Sequence, residues 1–125
     1  MEKFLVARFD VYLNPSALAE ITPYLVDVQS DLLDGLESRT VIPLRALKHF
    51  PKVKLSTRLT PLFVVHGQEC LLETPKLAAV PIRVLKLPVA SLSSEQDQIV
   101  TELDFLFQGY SSFAPTRALG QLPPG

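Results

Sequence analysis

Cysteine is almost missing. The single Cys70 rules out an internal disulfide and a cysteine-based zinc site within one chain. Tryptophan is absent altogether, which removes the usual large anchor of protein interfaces. The five glycines are scattered, so no glycine-rich phosphate loop exists. The two histidines, His49 and His66, are separated by a loop and a strand, too few and too far apart for a metal site. No G-x-S-x-G string is present, and nothing pairs Cys70 with a histidine and an orienting acid. No stretch approaches the ~20 apolar residues of a membrane span. The opening "MEKFLVARFDVYL" is too short and too charged for a signal peptide. A soluble, cytoplasmic protein with no cofactor, no metal and no catalytic residues is the expectation.

Charge excess is missing too. Twelve basic residues face 13 acidic ones, so attraction of the whole chain to nucleic acid or an anionic membrane is not expected. What is abundant is apolar side chain, 47% of 125 residues, enough for one domain with one sizeable core. Eleven prolines are spread along the chain and forbid long helices before residue 90. The segments between them are rich in Val, Leu, Ile and Phe and read as short strands at 3–12, 24–29, 39–44, 62–66, 69–73 and 79–85. In "LFVVHGQECLLE", Gly67-Gln68 suits a two-residue turn, with Val65 facing Cys70 and Val64 facing Leu71. Residues 14–23 read as a loop, and 45–50 as a short helical turn.

One helix stands out, "LSSEQDQIVTELDFLFQG". Ser93 is a candidate N-cap with Gln96 completing a capping box, and Gly109 is placed to stop the helix. Ile99, Val100, Leu103, Leu106 and Phe107 form its apolar face, which leaves Phe105 as the large apolar side chain facing water. The Pro-, Gly- and Ser-rich residues 111–125 read as a mobile tail after a single domain at 1–110.

The stretch "YLVDVQSDLLDG", 24–35, carries the most information. Asp27 and Gln29 share a side with Leu25. If that side is core, both need hydrogen-bond partners, and two readings are open: a tie to nearby loop backbone, or contact with a partner. Asp27, Asp31, Asp34 and Glu37 lack the spacing of a calcium loop and read as turn-forming acids. Leu32 and Leu33 are adjacent in a turn and cannot easily both be buried. They either form an apolar docking patch or cover a barrel end or dimer seam.

"VDVQSDLLDG…RTVIPL", 26–44, closely resembles the CcdB family of bacterial toxins, in which a "VDVQSDIID" strand and turn leads into "VIPL". "RLTP" at 58–61 and "AAVPIRVL" at 78–85 resemble that family's "ELYP" and "ASVPVSVI", and the closing helix follows in order. The resemblance spans roughly residues 3–110. It implies a mainly β, SH3-like barrel of the CcdB/MazF plasmid-maintenance toxin type, with a small extra sheet and a C-terminal helix. It implies a homodimer, the toxin half of a toxin–antitoxin pair, which binds the DNA gyrase A subunit and traps the enzyme on cleaved DNA. A CcdA-like antitoxin is the implied second partner. It would neutralise the toxin and repress the shared operon with it, the only route to nucleic acid. Carried over by position, the gyrase-facing residues are Ser30, Leu32 and Leu33 of the turn, and Asp104, Gln108, Gly109 and Tyr110 of the helix end.

One departure is plain. Well-known family members end in Trp-Gly-Ile, where this chain has Gln108-Gly109-Tyr110 and then a tail. A non-toxic relative that keeps only antitoxin binding and operon regulation is therefore a rival reading. A third reading is a MazF-like endoribonuclease. Such toxins carry an early Arg-Gly-Asp-like motif and a basic groove, whereas "VARFDVYL" lacks the glycine and the net charge is balanced.

Overall fold

The computed structural model describes residues 7–33, 35–49 and 60–109. Among these residues lie seven strands, β1 (Asp10–Leu13), β2 (Tyr24–Asp27), β3 (Ser38–Ala46), β4 (Leu62–Val65), β5 (Gln68–Leu72), β6 (Ala78–Pro81) and β7 (Ala90–Ser91), and one α-helix, α1 (Gln96–Gln108). The strands form one antiparallel sheet in the order β4-β5-β3-β2-β1-β7, with β6 attached to β3 as a side branch. The sheet curls until its two edges nearly meet. His66, just after β4, has Nε2 2.7 Å from the Val89 carbonyl, just before β7. A carbonyl only accepts, so that ring nitrogen carries the proton. The result is a nearly closed barrel with the helix against it.

Strand β3 holds the sheet together because it changes partners midway. Its first half, Ser38–Val41, pairs with β6, and its second half, Leu44–Ala46, pairs with β5. Pro43 sits between the two, where a residue without an N–H costs no ladder bond. Its carbonyl still accepts from Glu73 N–H at 2.9 Å.

Strand β2 is buried on both faces. Tyr24 and Val26 point into the main core with Val11, Ile42, Leu44, Phe63, Val65, Leu72 and Ile99. Leu25 points the other way, into a second cluster with Tyr12, Val41 and Leu85, backed by Val80 and Val84. Each fully buried Ile, Leu or Val contributes roughly 1.5–3 kcal/mol. The second cluster exists because the chain after β6 turns through a 3-10 segment, Ile82–Val84, and lays Leu85 over the sheet. Asp27, the next outward residue of β2, is also out of water, paired with Arg39.

Several expectations shift. The first strand begins at Asp10 because Phe9 adopts φ +73° and turns its ring into the core; the expected residues 3–6 lie outside the described residues. The hairpin turn is His66-Gly67, both at positive φ, so Val65 pairs with Gln68 and Phe63 with Cys70. That turn's twist suits a two-residue hairpin, and it moves the pairing two residues from the expected register. Residues 82–84 leave the strand expected at 79–85, while 90–91 add a short strand the pattern did not reveal. Leu47–His49 forms the expected helical turn, though Arg45 and Ala46 belong to β3.

The helix differs at both its start and its face. Ser93 heads a single 3-10 turn, Ser93–Glu95, and no side chain caps α1, which begins at Gln96. Gly109 does terminate it, at φ +78° with its N–H bonded to Phe105 O at 3.0 Å. Ile99 is buried and Val100, Leu103 and Leu106 are partly buried, as expected. Phe107 is instead 68% exposed, while Glu102 is buried and Phe105 partly so. At ~100° per residue, Glu102 and Phe105 lie on one flank of Ile99 and Phe107 on the other, and the helix leans towards the first flank.

Candidate partner-docking site

The turn after β2 is a 3-10 segment, Asp31–Leu33, with no buried residue. Leu32 is 93% exposed and Leu33 49% exposed. A leucine this bare gains nothing from folding, yet the turn that carries it is tightly specified. Ser30 supplies its local frame: Ser30 Oγ accepts from Leu32 N–H at 3.1 Å, and Ser30 O accepts from Leu33 N–H at 3.0 Å.

Beneath it lies a buried ion pair. Arg39 Nε donates to Asp27 Oδ2 at 2.8 Å and Arg39 Nη2 to Asp27 Oδ1 at 3.0 Å, with both side chains at 0% exposure. Arg39 Nη2 also reaches the Gln29 carbonyl at 3.2 Å and Asp31 Oδ1 at 3.5 Å. Gln29 ties the same turn to β3. Its Oε1 accepts from Thr40 N–H at 2.9 Å and its Nε2 donates to Leu33 O at 3.2 Å. Arg8 closes the third side, its N–H donating to Asp31 Oδ1 and its Nε to Val28 O, both at 2.9 Å. Of the two readings of Asp27 and Gln29, the tie to loop backbone is the one the geometry bears out.

The electrostatics follow from this burial. Loss of water pushes the Asp27 carboxyl above its ordinary value, Arg39 and the Gln29 N–H pull it back, and Asp31 pushes it up again. Asp10, on the same face, is also raised by burial. The nearby Tyr12 hydroxyl is raised to about 12, first by burial and then by Asp10 and Asp27. Arg39 escaped the sequence reading. The signal was there: an arginine two residues before Val41 on an alternating strand, hence on the same face, across from a buried Asp-x-Gln.

At the other candidate position, Gln108 and Gly109 are exposed at the end of α1, and Asp104 is half-buried one turn earlier. Tyr110 lies outside the described residues. The sequence reading missed Phe107, whose exposed ring stands between Leu106 and Gln108.

Elsewhere the chemistry is sparse. Cys70 is buried in mid-β5, and burial pushes its thiol up, away from the reactive thiolate. Among the described residues, no three His, Cys, Asp or Glu converge as metal ligands, and no helix is long and apolar enough to cross a membrane. A cleft of about 430 Å³ is lined by Leu18, Ile21, Arg45, Glu73 and Lys76 among others. Its charges pair with one another, Glu73 lying 3.8 Å from Arg45 and 3.5 Å from Lys76.

The described residues thus form a nearly closed barrel that presents an exposed apolar turn over a buried ion pair. The family model for the CcdB protein matches residues 8–109. The chain belongs to the CcdB family, and so to the toxins of toxin–antitoxin systems.

Proposed function

We propose that this protein is a toxin that binds the A subunit of DNA gyrase, traps the gyrase–cleaved-DNA complex, and is neutralised by a CcdA-like antitoxin. It acts as a homodimer in the cytoplasm, by surface fit and not by breaking bonds. Its docking face combines Ser30, Leu32 and Leu33 with the helix end at Asp104, Gln108, Gly109 and Tyr110. The observation that carries this reading is Leu32, 93% exposed on a turn held by side-chain and backbone hydrogen bonds. Exposed apolar side chains on rigid supports mark interaction sites. Phe107 adds weight. An aromatic ring 68% exposed beside Gln108 supplies the kind of anchor that the missing tryptophan provides in relatives.

The test is expression with and without the antitoxin, joined to capture of purified gyrase A subunit. Growth arrest and capture, both lost in Leu32→Asp and in Phe107→Asp, support the proposal. Unimpaired growth and no capture of gyrase by the native chain overturn it. Gln108 favours one rival, a relative that retains only antitoxin binding and operon regulation. Under that rival, Gln108→Trp creates toxicity that the native chain lacks.

A further inference from the structure

We infer that Arg39 is a positioning residue for the docking turn: from inside the barrel wall it sets where Leu32 and Leu33 stand. Arg39 has no exposed surface, so it cannot touch a partner. One nitrogen, Nη2, nevertheless reaches three successive odd positions of the segment below and within the turn: Asp27 Oδ1, the Gln29 carbonyl and Asp31 Oδ1. Asp27 is the anchor, because its second oxygen holds Arg39 Nε and fixes the plane of the guanidinium. Asp27 Oδ1 also accepts from Gln29 N–H at 3.0 Å, which bends the chain out of β2. Asp31 is the outer end of the relay, with a side chain 60% exposed, and it begins the 3-10 segment.

This arrangement is costly unless it has a use. Burying two charges gives little net stability over an apolar pair of the same size. What a planar, forked guanidinium adds is direction, since it holds several acceptors in one fixed geometry. A turn displaying a bare leucine has no packing of its own to order it. Ordered beforehand, it meets a partner without losing that freedom on binding. If removing Arg39 leaves the competent geometry populated about one tenth of the time, the apparent Kd rises about tenfold with every partner contact unchanged.

The partner side of this inference rests on the gyrase reading, so its test measures the turn and the binding separately. Arg39→Met alone strands Asp27 and is prone to misfold, so the informative protein is the full chain carrying Asp27→Leu with Arg39→Met. Asp31→Ala serves as a second variant whose changed side chain is mostly in water. NMR relaxation reports the turn. In the free native chain the Leu32 and Leu33 amides are expected at the rigid level of about 0.85, falling below about 0.6 in the double variant and part of the way in Asp31→Ala. The order parameters of β2 and β3 stay unchanged, and Kd for the gyrase A subunit rises about tenfold in the double variant.

A turn as rigid in both variants as in the native chain overturns the inference. So does a loosened turn with Kd unchanged, provided Leu32→Ala weakens binding. If native, double variant and Leu32→Ala all fail to bind gyrase while the turn loosens as stated, the gyrase reading fails and the positioning role stands.

Discussion

Replacing Tyr12 by phenylalanine separates the cost of a buried hydroxyl from the gain of a buried ring. Tyr12 is almost fully buried, its ring packed with Leu25, Val41 and Leu85. Its hydroxyl has no hydrogen-bond partner among the described residues. Leaving such a group dry and unmatched costs about 1–3 kcal/mol. Tyr12→Phe keeps the ring, so at pH 7 it is expected to raise stability by about 1 kcal/mol or leave it level. The pH dependence is sharper. Burial, then Asp10 and Asp27, push the folded-state value from 10.0 to about 12, with Arg39 pulling the other way. A raised acid keeps its proton in the folded state while the unfolded chain loses it. The stabilisation is therefore whole below pH 10 and lost as pH climbs from 10 to about 12. Two units correspond to about 2–3 kcal/mol. Urea unfolding of native and Tyr12→Phe proteins, at pH 7 and again at pH 11 to 12, measures both effects. Tyr24, also raised by burial, contributes equally to both proteins and drops out of the difference. The reasoning fails if Tyr12→Phe lowers stability at pH 7 by more than about 1 kcal/mol, which means the hydroxyl has a partner. It fails too if both proteins lose stability alike above pH 10.

Other substitutions probe the remaining links. Arg39→Met alone is expected to cost about 3–5 kcal/mol in thermal or urea unfolding, because it leaves Asp27 buried without its cation; adding Asp27→Leu should recover most of that loss. Ile99→Ala, at a fully buried site, should cost about 2–5 kcal/mol, whereas Phe107→Ala should stay within about 0.5 kcal/mol despite removing a larger side chain. Equal costs at the two sites would mean the helix is rotated from the orientation described. Gly67→Ala should destabilise by about 1 kcal/mol through backbone strain alone, since φ is +77° and the space around a new Cβ is open. Cys70 should react with an alkylating reagent in the native state only as fast as the protein opens, with full reactivity returning in denaturant.

The sequence alone determined the elements whose cause is local. Alternating apolar residues between prolines marked most of the strands. The helix showed in its period, and its stop at Gly109 followed because only glycine takes φ +78° without strain. The string at 26–44 identified the family because strand, turn and strand are consecutive there. Tertiary structure decided what depends on which faces are covered. Leu25 is buried on the outer side of the sheet because Leu85, some 60 residues later, packs into the same cluster, and no pattern around residue 25 contains that fact. Arg39 found its role only once antiparallel pairing brought β3 alongside β2. Phe107 was left in water because the barrel took the flank of the helix that carries Glu102. Periodicity gives the relative angle of side chains around a helix axis, but the direction of the core is set by what the rest of the chain places beside it.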